Sequence, residues 1–287
     1  MANLKEIRNR IASVSSTMQI TSAMKMVSAA KLKKAQDAIT AMRPYADKLT
    51  ELLQNLSANL DVDSGSAYAE VREVRKVLVV AVSSNRGLCG AFNANIVKQG
   101  TVLARELYAG KQVDFLTIGK KAHDLLRKRF TVVANHNEVF DNLTFEEVSA
   151  IADTLMANFS EGTYDRIVLV YNRFKNAATQ IVTTEQFLPI QPLTDGERGS
   201  ADYIFEPSEA EIVEQLIPKS LKTQLYKAVR DSFASEHGAR MTAMHKATDN
   251  ASEMKDQLTL TYNKARQAAI TNEILEIVGG AEALAKG

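Results

Sequence analysis

The chain has 287 residues, with 35 basic side chains against 34 acidic, one Cys, no Trp, 45% hydrophobic and 24% charged residues. One Cys excludes an internal disulfide framework and any multi-cysteine metal site, and no stretch approaches the ~18 apolar residues of a membrane span. Residues 1–10 lack both the apolar core of a signal peptide and the character of an organelle leader, which predicts a soluble, cytoplasmic protein.

The averages conceal three regions. Residues 1–60 contain no Gly, one Pro (Pro44) and one aromatic (Tyr45), and carry nine basic groups against four acidic. Residues 61–218 hold 14 of the 18 aromatics and nine of the 13 Gly, with 16 basic and 22 acidic groups. Residues 219–287 return to three aromatics, with ten basic and eight acidic groups. Aromatics bury the most area per residue, so the centre has a core of its own, between two Ala-, Met- and Lys-rich ends.

The first end reads as a long helix. Leu4, Ile7, Ile11, Val14 and Met18 recur at alternating spacings of three and four, the period of a left-handed coiled coil. The apolar pattern then shifts to Met24 and Val27, flanked by Ala23 and Ala30, and Pro44 is expected to kink or open the helix. The basic run Lys31-Leu-Lys33-Lys34 leaves a nucleic-acid or membrane contact open. It lacks interleaved aromatics and is spread around the helix, as a charged outer face or an acidic protein partner also requires.

The centre alternates strand and helix. The apolar run at 77–82 (VLVVAV) predicts a strand buried on both faces, followed by strands at 113–118, 166–171 and 179–184. The last two form a hairpin across Lys175-Asn176. Helices are expected near 91–108, 120–129 and 144–160, the third opened by a capping box, Thr144-Phe-Glu-Glu147. Gly196 and Gly199 mark a link into the second long helix. There Met244, Ala247, Ala251, Met254, Leu258, Thr261, Ala265, Ala268, Asn272 and Leu275 keep the three-four spacing, with Gly238 a weak point. The fold class is therefore α/β: two long terminal helices forming an antiparallel left-handed coiled coil, with a central Rossmann-like domain. The predicted domains are 1–60, 61–205 and 206–287. An ordinary helical bundle of both ends is the alternative.

The turn Ser83-Ser84-Asn85-Arg86-Gly87-Leu88-Cys89-Gly90 lies where α/β folds hold phosphate, but it has neither GxGxxG nor a P-loop lysine. Cys89 has no His near it in sequence, and the four His (His123, His136, His237, His245) show no metal spacing. Composition and spacing thus favour a mechanical or interaction part over an enzyme, with a small α/β enzyme and a coiled-coil scaffold as the other readings.

Three blocks carry a family resemblance. They are Glu6-Ile-Arg8-Asn-Arg10-Ile-Ala-Ser-Val14, the turn Ser84-Asn85-Arg86-Gly87-Leu88-Cys89-Gly90, and above all Ile270-Thr271-Asn-Glu273-Ile-Leu-Glu276-Ile-Val-Gly279-Gly280-Ala281. Together with Ala239-Arg240-Met241 and Tyr262-Asn263-Lys264-Ala265-Arg266-Gln267, the chain resembles, along its whole length, the γ subunits of bacterial F-type ATP synthases. Asn85 departs from the family pattern, which usually has Asp there.

The resemblance implies a central-stalk rotor. The end helices would form a shaft inside a hexamer of α and β subunits, and the α/β centre a foot beside the ε subunit on the c ring. It implies one copy per complex, no nucleic-acid partner, no catalytic residue, metal or cofactor of its own, and nucleotide and Mg bound by partner subunits. The location implied is the cytoplasmic face of the bacterial inner membrane, peripheral and held through partners. The chain would couple ion (proton) transport to ATP synthesis and influence ATPase activity. Residues implied in hexamer contacts are Met24, Arg240, Arg266, Gln267, Thr271 and Glu273. Those implied in c-ring contacts are Tyr203, Phe205 and Glu206, within the segment 202–207.

Overall fold

The computed structural model describes residues 4–59, 68–190 and 209–285. In chain order these form α1 (Leu4–Asn59), β1 (Lys76–Val82), α2 (Phe92–Val102), β2 (Gln112–Ile118), α3 (Lys120–Leu126), β3 (Val132–Asn135), α4 (Phe145–Ser160), β4 (Arg166–Phe174), β5 (Gln180–Leu188) and α5 (Glu209–Ala285). The chain divides into two units, one made of Ser28–Arg240 and the other of Met1–Val27 with Met241–Gly287.

The larger unit contains one five-stranded sheet in the order β3-β2-β1-β4-β5. β1 pairs in parallel with both β2 and β4, β2 with β3, and β5 closes the edge antiparallel to β4. The continuous apolar run of β1 follows from burial on two faces. Leu78, Val80 and Val82 face a core with Val148, Leu155 and Phe159 of α4 and Leu221, Leu225 and Val229 of α5. Val77, Val79 and Ala81 face Ile96 of α2, Leu103, and Ala122 and Leu126 of α3. The result is a three-layer α/β/α arrangement.

Local chemistry accounts for most of the elements. Thr144 caps α4 by accepting from the Glu147 backbone N–H at 3.4 Å. Only half of the expected box forms, because the Thr144 N–H donates to the Asn142 carbonyl instead. The β4–β5 turn closes on Asn176, whose side-chain oxygen accepts from the N–H groups of Ala178 and Thr179. α2 gives way to a π-helical turn over Leu103–Leu107, so the helix expected to reach 108 changes its hydrogen-bond period at 103. β3 was not among the expected strands; four half-buried or exposed residues at a sheet edge leave little periodic signal.

Neither long helix opens at its expected weak point: α1 stays helical through Pro44, and α5 through both Pro218 and Gly238. Nor does the buried line of α1 shift at Met24 and Val27. Val27 is 57% exposed, and the inward positions run at three-four spacing through Thr21, Lys25, Ser28, Leu32, Ala35, Ile39, Met42, Ala46 and Leu49, with Lys25 and Met42 half-buried. The pattern looked broken only because Thr21 and Ser28 are polar.

In the smaller unit, α1 and α5 run antiparallel. Arg8 donates to the Tyr262 hydroxyl at 2.8 Å, Thr248 to Thr21 at 2.8 Å, and Lys25 lies 3.5 Å from His245. Each pair sums to 269 or 270, so a single register holds over the whole overlap. The inward residues of α5 are Met244, Thr248, Ala251, Lys255, Leu258, Tyr262 and Ala265. Alternate positions therefore sit one residue later than the apolar pattern implied, and Met254 is 52% exposed.

Candidate functional site

Two places gather the residues singled out by the sequence. In the larger unit it is the turn after β1. Gly119, at φ +110°, brings the end of β2 so close to β1 that an added Cβ would lie 2.3 Å from the Ser83 carbonyl oxygen. The start of α3 is thereby set against the turn, and its first three N–H groups are already engaged. Lys120 donates to the Asn85 side chain at 3.0 Å, Lys121 to the Ser84 carbonyl at 3.0 Å and Ala122 to the Ser83 hydroxyl at 2.9 Å. These bonds fix the start of α3 against the turn after β1.

Asn85 completes the bridge by donating through Nδ2 to the Asn137 carbonyl at 2.7 Å. A carboxylate cannot donate there, so the amide suits this position. Cys89 is buried against Asn93, whose amide donates to its sulfur at 3.2 Å, and burial pushes the thiol above its ordinary pKa. It is a packed thiol rather than an activated one.

The crevice outside the ends of β1 and β4, where the strand order reverses, is filled by α5. Ser235 donates to the Asn172 carbonyl at 2.9 Å, and the Asn172 amide reaches the Phe92 carbonyl at 3.3 Å. Arg240 donates to the Gly87 carbonyl at 3.2 Å and the Arg86 carbonyl at 3.3 Å, and pairs with Glu236 at 2.7 Å. Asn172, Ser235, Glu236, His237 and Arg240 are all buried. Burial raises the Glu236 pKa, an effect opposed by Arg240. Burial, then Arg240, lowers His237 to about 4, so its ring is neutral and Nδ1 accepts from Arg240 at 3.4 Å. Beyond this node Leu88 is 63% exposed at φ +61°, a left-handed conformation that costs a non-glycine residue about 1 kcal/mol.

Sequence reasoning had singled out Arg240 but not its partners Glu236, Ser235 and Asn172. The available signal was a polar run, Ser235-Glu-His-Gly-Ala-Arg240, on a helix face that elsewhere packs aliphatic residues.

In the smaller unit, Met24 is half-buried on α1. Arg266, Gln267, Thr271 and Glu273 are exposed on α5 and make no hydrogen bond or ion pair among the described residues. Leu4, the first described residue of α1, falls opposite residue 266 in the common register. Every residue described from 270 onward is exposed, including Ile270, Ile274, Leu275, Ile277, Val278 and Leu284. Tyr203, Phe205 and Glu206 lie outside the described residues, as do Gly196 and Gly199. Among the described residues no three His, Cys, Asp or Glu side chains gather as metal ligands, and no helix is long and apolar enough to cross a membrane.

A family model described as ATP synthase matches residues 3–284. The ATP synthase gamma chain of Flavobacterium johnsoniae is 73% identical over 285 residues, covering 99% of each chain. This chain belongs to the ATP synthase gamma-chain family. The gamma chain of Christiangramia forsetii is 68% identical over 284 residues, again 99% of each chain. Among solved structures, the chain resembles one from the central stalk and c ring of Tetrahymena thermophila mitochondrial ATP synthase. That match has a TM-score of 0.59 and 26% identity, over 79% of this chain and 99% of the other. A chain of the Euglena gracilis mitochondrial ATP synthase, in an assembly of OSCP, F1 and c ring, matches with a TM-score of 0.73. At 24% identity, over 98% and 94% of the two chains, it supports the fold. A gamma chain is a non-catalytic subunit of its complex.

Proposed function

We propose that this chain is the central-stalk rotor of a bacterial ATP synthase, carrying rotation between a membrane c ring and a catalytic hexamer of α and β subunits. One observation carries the reading: the end of α5, from residue 270, is a helix exposed on every side and rich in Ile, Leu and Val. Such a helix needs an apolar sleeve from elsewhere, and a ring of partner subunits supplies one without fixing a single angle.

In this reading Met24, Arg266, Gln267, Thr271 and Glu273 meet the hexamer, and Arg240 acts on it through the turn it holds. Tyr203, Phe205 and Glu206 meet the c ring, with ε beside the α/β unit. One copy serves each complex, at the cytoplasmic face of the inner membrane, held there through its partners. Moving one charge through 100 mV is worth about 2.3 kcal/mol, so several ions contribute to each ATP, and a rotating shaft pools them. The same contacts modulate ATPase activity. The chain holds no cofactor; nucleotide and Mg belong to the hexamer.

The direct test immobilises the hexamer and fixes a bead to this chain. ATP-driven rotation of the bead is expected, and a motionless bead in an actively hydrolysing complex refutes the rotor. A second test is Met24→Lys, which is expected to lower the ions pumped per ATP while leaving assembly intact. Wild-type pumping per ATP would remove Met24 from the contact set.

A further inference from the structure

We propose that residues 235–240 of α5 form a keyed seat that stops this helix turning about its own axis in the α/β unit, with Arg240 as the positioning residue. The proposal rests on the rotor reading and names the place within Ser28–Arg240 where load passes into the helix.

Earlier on α5 the contacts are largely aliphatic, through Leu221, Leu225, Ala228 and Val229, and such contacts are non-directional. The directional bonds there run from long side chains, Gln224 to Glu185 and the Gln186 carbonyl of the edge strand β5 and Arg230 to the Leu143 carbonyl. Residues 235–240 add a short side-chain bond to an inner strand, a close backbone contact and a buried ion pair. Ser235 is tied to the backbone of β4 by its 2.9 Å bond to the Asn172 carbonyl. At Gly238 an added Cβ would lie 3.2 Å from the Ala177 Cα and 3.3 Å from its carbonyl oxygen. The helix backbone therefore packs closely against the β4–β5 turn, which would have to give by a few tenths of an ångström to admit a side chain. Arg240 grips the carbonyls of Arg86 and Gly87 in the turn after β1.

At about 100° per residue, these three points cover roughly 200° of the helix circumference. A twist in either sense must therefore break a directional bond or drive backbone into backbone. Of the counterparts, Asn172 lies within β4 and is paired to β5, and the turn that holds Arg86 and Gly87 is tied to the start of α3 through Ser84 and Asn85. The buried Glu236–Arg240 pair at 2.7 Å aims the guanidinium. A buried ion pair of this kind contributes more to specifying a geometry than to net stability.

The test uses the complete, vesicle-reconstituted ATP synthase with its hexamer held and stalled and a bead on the α/β unit of this chain. The double variant Arg240→Ala with Glu236→Gln removes the grip on the turn without stranding a buried carboxylate. The angular variance of the bead is expected to widen at least twofold, and the ratio of ions pumped to ATP hydrolysed to fall under a gradient. Arg240→Lys keeps a charge for Glu236 and a donor for Gly87, and is expected to restore most of the stiffness. A purely structural role would lower pumping and hydrolysis together and leave the ratio unchanged. Unchanged variance in the double variant overturns the seat while leaving the rotor reading intact, whereas a wild-type bead that never turns overturns the rotor reading itself. Should the double variant not assemble, Ser235→Ala is measured in the same way, and wild-type variance there also overturns the seat.

Discussion

His237 shows how burial converts a common residue into a pH-sensitive one. Its ring is 4% exposed against Phe233, and its pKa falls from 6.5 to about 4. The unfolded chain takes up a proton below pH 6.5, while the native chain does so only below about 4. Stability is therefore full above pH 6.5 and drains as the pH falls toward 4, by about 3 kcal/mol. Urea unfolding of the full chain at a series of pH values is expected to show that slope, and His237→Gln to flatten it. Asn85, in the turn after β1, and Gly119, between β2 and α3, make separate predictions. Asn85→Asp loses the donor to Asn137 and is expected to cost about 1–3 kcal/mol. Gly119→Ala, with φ +110° and the Ser83 carbonyl in the way, is expected to cost about 3 kcal/mol. A shift in the urea midpoint of each variant is the measurement.

The helix pair is thin, because its seam contains Thr21, Thr248, Ala251 and Ala265 as well as Ile7 and Met244. Small residues bury little area each, so polar contacts make up more of the interaction than in a Leu-rich coil. Thr248 donates to Thr21, and both hydroxyls also lie against carbonyls of their own helices. Thr21→Val and Thr248→Val are each expected to destabilise. The double variant should lose less than the sum, with a coupling of about 0.5–1.5 kcal/mol. A coupling of zero by thermal melting would show that the two hydroxyls act only within their own helices.

On the scale of the whole chain, the apolar side chains that most need covering are those that this chain does not cover. The described residues of α5 from 270 onward bury almost nothing against the rest of it. Removing residues 270–287 is therefore expected to leave the unfolding free energy within about 0.5 kcal/mol, to reduce self-association of the isolated chain, and to weaken its retention by the hexamer. A large loss of stability on truncation would mean that the segment packs at home.

The sequence by itself determined the existence, type and order of the long elements. Fifty or more residues without Gly can hardly be anything but helix, and VLVVAV at 77–82 is legible as a strand because both its faces are apolar. It also determined the family, through the block at 270–281. Tertiary structure decided the rest. The inward line of α1 runs through Thr21 and Ser28, and that of α5 through Lys255 and Tyr262, because a partner helix chooses a face by geometry and accepts polar side chains that can bond across it. Arg240 carries a charge that the sequence places on an ordinary amphipathic helix. Only the fold, by bringing the Arg86–Gly87 carbonyls some 150 residues earlier in the chain to within 3.3 Å, makes it a buried clamp. Residue spacing encodes which face repeats along an element, whereas the identity of what that face meets is a property of chain closure.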